Sequence, residues 1–288
     1  MELRVLKYFL VAAREENITK AAALLHVTQP TLSRQLMQLE EELGVKLFRR
    51  GKYRVSLTED GMLLRRRAQE IVELAEKTEQ EFQRQEGELA GAISIGTGES
   101  NSMTALSRRM AGFRREHPLV RFHIYSATAD EIQERLEKGL LDLGILTEPA
   151  DIGRYEFIRL PKRDQWGVWV DREHPLAARE RVTPQDLLGV PLLLPQRERV
   201  QQELAGWFGD DFEKAEVAAT YNLILNAADM IRNGVGIALG FLLGNLSDDL
   251  RFIPLSPALE TGSVLVWKKD QAFSPTAAAF LRDLRRAE

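Results

Sequence analysis

Residues 18–39 read Ile-Thr-Lys-Ala-Ala-Ala-Leu-Leu-His-Val-Thr-Gln-Pro-Thr-Leu-Ser-Arg-Gln-Leu-Met-Gln-Leu. Two short helical patterns meet there at a tight turn. Thr19 can cap the first, whose small apolar face is Ala21, Ala22 and Leu25; small residues let a second helix cross closely. His26-Val27 is the turn. Thr28 can cap the second helix, and Pro30 falls in its first turn, where a missing N–H costs little. Leu32, Leu36, Leu39 and Leu43 follow at spacings of four, three and four, a single buried stripe. The opposite face carries Gln29, Thr31, Ser33, Arg34, Gln35 and Gln38. An ordinary surface helix is rich in Lys and Glu; this one is short and rich in amides. Arg can pair with guanine, Gln with adenine and a Thr methyl with thymine in a major groove. The pattern is a helix-turn-helix, with Thr28, Gln29, Pro30, Thr31, Ser33, Arg34 and Gln38 as DNA-contacting candidates.

The residues that follow support double-stranded DNA as the partner. Leu43-Gly44 ends the second helix with a residue free to turn left-handed. Residues 45–49 and 53–57 alternate as two strands around Gly51-Lys52, a hairpin carrying Arg49, Arg50, Lys52 and Arg54. A basic hairpin beside a recognition helix is a wing that can clasp phosphates or enter a minor groove. Charge is distributed to match. The whole chain is −4, whereas residues 1–58 hold ten basic against six acidic residues, a local balance of +4. Leu3, Leu6, Leu10 and Ala13 form a stripe on a preceding helix that would close the small core.

At this point the chain resembles the LysR-type transcriptional regulators. The resemblance rests on Asn17-Ile-Thr-Lys-Ala-Ala, Val27-Thr-Gln-Pro-Thr-Leu-Ser, Leu39-Glu-Glu-Glu-Leu-Gly-Val-Lys-Leu-Phe-Arg-Arg and Leu57-Thr-Glu-Asp-Gly, and runs without a gap to about Gly61. It implies a bacterial transcription factor with a winged helix-turn-helix, a dimerising linker helix and a two-lobed effector sensor. A homodimer assembling further to a homotetramer is implied, and RNA polymerase is carried as a candidate partner.

After the wing, Thr58 can cap a helix with Glu59 and Asp60 in its first turn, where acids oppose the helix dipole. It runs to about Glu86. Leu64, Ala68, Ile71, Ala75, Thr78 and Phe82 recur at four and three, a short heptad seam. So polar a helix is marginal alone; Leu64, Ala68, Ile71, Ala75 and Phe82 are the candidate subunit contacts. Gly87 to Gly91 loosens the chain.

From Ala92 strands and helices alternate. Ile93 and Ile95, then Val120, Phe122 and Ile124, then Leu141 to Leu146 read as strands separated by helices, the start of a doubly wound parallel sheet. A second set begins near Gln165, and Ser263–Trp267 with the helix from Pro275 return to the first. The expected fold is α+β and α/β: a winged helix-turn-helix over 1–58, a linker helix over 59–90 and a periplasmic-binding-protein-like effector domain over 91–288. Lobe I would be about 91–162 and 262–288, lobe II about 163–261.

In such sheets ligands bind beyond the carboxyl ends of strands. Three loops fit: Thr97 with Ser100, Asn101 and Ser102; Ser126 with Thr128; and Asn222. Each of these residue types commonly serves only as a helix cap, but their convergence from two lobes marks a small-molecule effector site. Glu99 is unfavourable to an anion and leaves an amine-bearing ligand open.

Other chemistries find little support. There is no cysteine, which excludes disulfides, thiolate zinc sites and thiol redox switches. His26, His117, His123 and His174 lack metal-ligand spacing. No catalytic set, metal or cofactor is expected. No apolar run approaches ~20 residues and the amino terminus carries charges inside its apolar pattern, so no membrane association and a cytoplasmic location are expected. A solute-binding protein would share the two lobes but has no use for residues 1–58. An enzyme would need an acid/base or metal set that is missing.

Overall fold

The computed structural model describes residues 1–51, 54–82, 88–244 and 246–286. They divide into two compact units, 1–83 and 84–288.

In the first unit, α1 (Leu3–Glu15), α2 (Ile18–Leu24) and α3 (Gln29–Leu43) surround one apolar core, followed by β1 (Phe48–Arg50), β2 (Val55–Leu57) and α4 (Glu59–Phe82). Phe9, Leu6, Leu32, Leu39 and Leu47 are its largest fully buried side chains. The stripe of α1 is centred on Val5, Leu6, Phe9 and Ala12, with Leu3 and Leu10 only at its margin; Phe9 draws the helix round because its ring packs 5.4 Å from that of Phe48. Asn17, not Thr19, caps α2, accepting from the Lys20 N–H at 3.0 Å. His26 turns the chain with a positive φ of 55°. Thr28 caps α3 by accepting from the Thr31 N–H, and Gly44 ends it at φ +70°. Leu43 departs from the expected stripe: it lies past the last core contact and is exposed.

Glu40 joins α3 to the wing. One carboxylate oxygen accepts from the backbone N–H of Leu47 at 2.8 Å and of Phe48 at 3.2 Å, and the other meets Lys46 Nζ at 2.8 Å. Burial disfavours its charge, but these three donors outweigh burial and hold its carboxyl below the usual glutamate range. β1 and β2 pair antiparallel, Phe48 opposite Leu57.

α4 begins under Thr58, which accepts from the Gly61 N–H at 2.9 Å. Here the heptad reading needs correction. Ala68 is fully buried and, with Leu64 and Val72, packs into this unit's own core, while Lys7 of α1 pairs with Glu76 of α4 at 2.8 Å. Leu64 and Ala68 therefore serve the fold of the unit. Ala75 is half-buried, and Ile71 is exposed, as are Leu63 and Leu74. These exposed residues lie on a neighbouring stripe of the same helix; a four-three spacing does not by itself say which of two adjacent stripes is free. The Phe82 side chain lies outside the described residues.

The second unit holds two sheets. The first runs β4-β3-β5-β13-β6, from β3 (Gly91–Thr97), β4 (Val120–Ser126), β5 (Leu143–Thr147), β6 (Tyr155–Arg159) and β13 (Ser263–Lys268), with α5 (Ser102–Glu116), α6 (Ala129–Glu137) and α9 (Pro275–Arg285). The second runs β11-β7-β10-β8-β9, with β12 beside β7. Its strands are β7 (Asp164–Asp171), β8 (Leu192–Pro195), β9 (Val217–Tyr221), β10 (Ile237–Phe241), β11 (Leu250–Pro254) and β12 (Glu260–Thr261), with α7 (Glu198–Phe208) and α8 (Ile224–Arg232). The expected parallel pairing is found for β4-β3-β5 and β9-β8-β10. The strands nearest the two crossings between sheets, β7 and β13, run antiparallel to their neighbours. Both faces of each sheet are covered by apolar clusters, as sheets with parallel cores require.

Replacing Glu40 by Ala would leave the Leu47 and Phe48 N–H groups without their acceptor, an expected cost of about 1–3 kcal/mol. Amide hydrogen exchange at Leu47 and Phe48 should accelerate by about one to two orders of magnitude. In the wild type this protection should be present at neutral pH and lost as pH falls through the lowered Glu40 value. Unchanged exchange in Glu40→Ala would contradict the clamp.

Candidate DNA-reading face and effector cleft

On α3, Thr28, Gln29, Pro30, Thr31, Arg34 and Gln38 are exposed and Ser33 is half-buried. Several are already ordered by one another. Thr28 and Thr31 hydroxyls lie 2.8 Å apart, and Gln29 Nε2 donates to Ser33 Oγ at 2.9 Å. Gln38 reaches Glu42 at 3.5 Å. Arg34 makes no ion pair among the described residues, so its guanidinium is available to an outside acceptor. On the wing Arg49 is exposed, and Arg54, also exposed, stands 4.0 Å from Glu16. Lys52 and the Arg50 side chain lie outside the described residues.

In the second unit a cavity of about 130 Å³ lies between the two sheets, beyond the carboxyl ends of their strands. Ile145, Trp166, Val200, Ile224, Phe241 and Leu243 give it a largely apolar wall. Gly240 leaves room there: a Cβ would come 2.8 Å from the Tyr221 hydroxyl. That hydroxyl donates to the Leu239 carbonyl at 2.6 Å, and burial first, then the nearby Glu99 charge, push its pKa far up, so it stays neutral. A second cavity of about 110 Å³, lined by Tyr125, Ser126, Glu131 and Leu223, shares Glu99, Thr128 and Asn222 with the first.

Of the residues singled out from sequence, Thr128 and Asn222 line both cavities and Ser126 lines the second. Thr97, Ser100, Asn101 and Ser102 line neither cavity. Thr97 is buried and its hydroxyl donates to the Gly98 carbonyl at 3.0 Å. Ser100 and Ser102 are buried in the turn that opens α5. Asn101 is committed to the junction of the lobes. Its backbone N–H and Nδ2 donate to Asp164 Oδ1 at 2.9 and 2.8 Å, and Nδ2 donates to the Leu242 carbonyl at 2.6 Å.

Two further side chains bond across the cleft. Glu99, before α5, accepts from the Ile224 N–H at the start of α8 at 2.7 Å. Arg197, before α7, has an almost fully buried side chain that forks onto both oxygens of Asp130, at 3.0 and 3.1 Å, and donates to the Thr147 carbonyl at 3.2 Å. Sequence reading missed Arg197, Trp166 and the cavity side of α7. The available signal was that Pro195-Gln-Arg197 follows an apolar strand and opens a helix, the same strand-to-helix context as the loops chosen. Among the described residues no group of three or more His, Cys, Asp or Glu is placed to hold a metal ion, and no helix is long and apolar enough to cross a membrane.

With this geometry in view, comparison with known proteins is decisive. Residues 3–62 match the model of bacterial regulatory helix-turn-helix proteins of the lysR family, and residues 86–288 match the LysR substrate binding domain. The chain belongs to the LysR family of transcriptional regulators. It is 30% identical to the HTH-type transcriptional regulator YybE of Bacillus subtilis over 286 residues, covering 97% of each chain. It is 27% identical to HcaR, the hca operon transcriptional activator of Escherichia coli, covering 94% of this chain and 93% of HcaR. Among solved structures, full-length CbnR in complex with its target DNA shares the fold over 100% of both chains, with a TM-score of 0.78 at 23% identity. HinK of Pseudomonas aeruginosa, a LysR family regulator, matches over 99% of this chain and 98% of its own, with a TM-score of 0.58 at 25% identity. The protein is thus a DNA-binding transcriptional regulator with an effector-binding domain, and a solute-binding role without regulation is not favoured.

The Asn101 bonds make a specific expectation. Asn101→Ala should destabilise the effector domain by about 1–3 kcal/mol, because the Leu242 carbonyl and the buried Asp164 lose a donor. All four tryptophans, at 166, 169, 207 and 267, lie in this unit, so urea unfolding followed by tryptophan fluorescence reads it selectively. An unchanged midpoint would show that Asn101 does not hold the lobes.

Proposed function

We propose that residues 1–58 read an operator through α3 and the wing, that residues 59–90 join subunits, and that residues 91–288 sense a small molecule in the cleft. The observation that carries the first part is the uncommitted Arg34 guanidinium, set in mid-helix among the exposed Thr31, Gln38 and Gln29. Arg34 in this reading pairs with a base edge, while Arg49, Arg50, Lys52 and Arg54 meet phosphates. That CbnR has been seen with its target DNA supports the same use of this fold.

Pairing of subunits uses the exposed stripe of α4, Leu63, Ile71 and Leu74, with Ala75 beside it, to make a homodimer that assembles to a homotetramer. RNA polymerase is a further partner, and the protein works in the cytoplasm. The effector occupies the cavity that Thr128 and Asn222 share between lobes. It acts only if it binds one degree of lobe closure better than another, since equal affinity for both shifts nothing.

The DNA reading is tested by binding-site selection from the source genome, followed by titration against the selected fragment and a scrambled one. Arg34→Ala should lose about 1–3 kcal/mol on the selected fragment and little on the scrambled one. Arg49→Ala should weaken both alike and reduce the slope of log affinity against log salt by about one. Unaltered affinity in Arg34→Ala would remove that residue from the reading face.

A further inference from the structure

The cleft carries more charge than its apolar wall suggests, and carboxylates outnumber the cation. A helix start exposes unsatisfied N–H groups and a partial positive charge, the usual place for an anionic ligand. Here the chain's own carboxylates already occupy three such starts. Glu99 Oε2 takes the Ile224 N–H of α8 from across the cleft. Asp164 Oδ1 takes the Asn101 N–H before α5. At α6, Glu131 accepts from the Thr128 N–H at 2.9 Å and its hydroxyl at 2.8 Å, closing a capping box. The fourth helix to begin here, α7, has Glu198 in its first turn.

The one guanidinium that lines the cavity is no freer. Arg197 uses three of its five N–H donors, two on Asp130 and one on the Thr147 carbonyl, and Asp130 balances its charge. Counting the ionisable carboxylates and guanidinium that line the two cavities, with the Asp130 that Arg197 holds, gives Glu99, Glu131 and Asp130 against Arg197. Among the described residues, an entering carboxylate would meet a net negative cleft whose one lining guanidinium is already charge-paired with Asp130.

We infer that the cleft takes a small cation, a primary ammonium on an apolar or aromatic body, and that Glu99 is the residue that sets this preference. This rests on the proposal above that the cleft is the effector site. Glu99 lies at the junction of the cavities, so a ring in the larger, apolar one brings an ammonium to its carboxylate. The 130 Å³ of that cavity is on the scale of a space that holds a benzene ring. A carboxylate has about four lone-pair sites, so Glu99 can accept an ammonium while keeping the Ile224 N–H. Trp166 and Phe241 in the wall add aromatic surface that suits a cation. By drawing Glu99 and the lobe II wall onto one molecule, such a ligand favours the closed cleft.

Calorimetry on the full chain with benzylamine, benzyl alcohol and benzoate tests this, because the three share a ring and differ in charge. The wild type should bind benzylamine at least about tenfold more tightly than benzoate, with the alcohol between them. Glu99→Gln keeps an oxygen acceptor for the Ile224 N–H and should erase that preference. Leu243→Trp, which fills the cavity from a loop, should abolish binding of all three. Equal or tighter binding of benzoate by the wild type overturns the inference, as does a lack of saturable benzylamine binding at millimolar concentration. If Leu243→Trp blocks benzylamine and Glu99→Gln leaves the preference intact, the assignment to Glu99 fails and the cleft stands. If neither variant alters benzylamine binding, the cleft itself is not the site.

Discussion

Carboxylates bonded to backbone N–H groups hold this molecule together at the places where elements meet. A backbone N–H buried without an acceptor is costly, and an ionised acceptor makes a stronger bond than a neutral one. Glu40 uses this to tie the recognition helix to the wing through Leu47 and Phe48. Asp142 accepts from the Ser94 N–H at 2.7 Å and so registers β3 against the chain entering β5. Asp164 and Glu99 do the same between lobes, at Asn101 and Ile224.

Those last two bonds give the effector domain its particular character. They run in opposite senses: Asp164, at the start of the second sheet, holds the helix start of lobe I, and Glu99 of lobe I holds the helix start of lobe II. Arg197 on Asp130 adds a bidentate contact of the opposite charge order. Closure of the lobes is therefore specified by a few directional contacts around a small apolar cavity. A ligand can bias such closure only by interacting differently with the contacts in the open and closed arrangements.

Much of the first unit was legible in the sequence because its determinants are local. Thr28, Pro30 and Gly44 bound α3 within a few residues of where their effects appear, and the apolar spacing of Leu32, Leu36 and Leu39 names its buried face. The misreadings have equally physical causes. Thr19 and Asn17 can both cap a helix, and only the backbone path selects Asn17. Leu64 and Ala68 belong to a stripe that two partners could claim, and α1 claims it. In the effector domain the strands were legible from alternation, but the site was less so. Asn101 and Asp164 stand 63 residues apart, and Glu99 and Ile224 stand 125 apart, so no local pattern pairs them. Hydroxyl-rich loops drew the reading to Ser100 and Ser102, which the fold buries, while Arg197 was passed over.

The claim that bonds from Glu99 and Arg197 hold the lobes closed is tested most directly by a distance measurement across them. The chain has no cysteine, so spin labels can be placed at Arg115→Cys on α5 and Glu213→Cys in lobe II, both exposed in the native protein. Pulsed electron-electron double resonance on this pair, with labelled subunits diluted into excess unlabelled protein, should give one narrow intramolecular distance distribution in the otherwise wild-type background. Adding Glu99→Ala and Arg197→Ala together should broaden it and shift it to longer distances. An identical distribution with and without those two side chains would contradict the account.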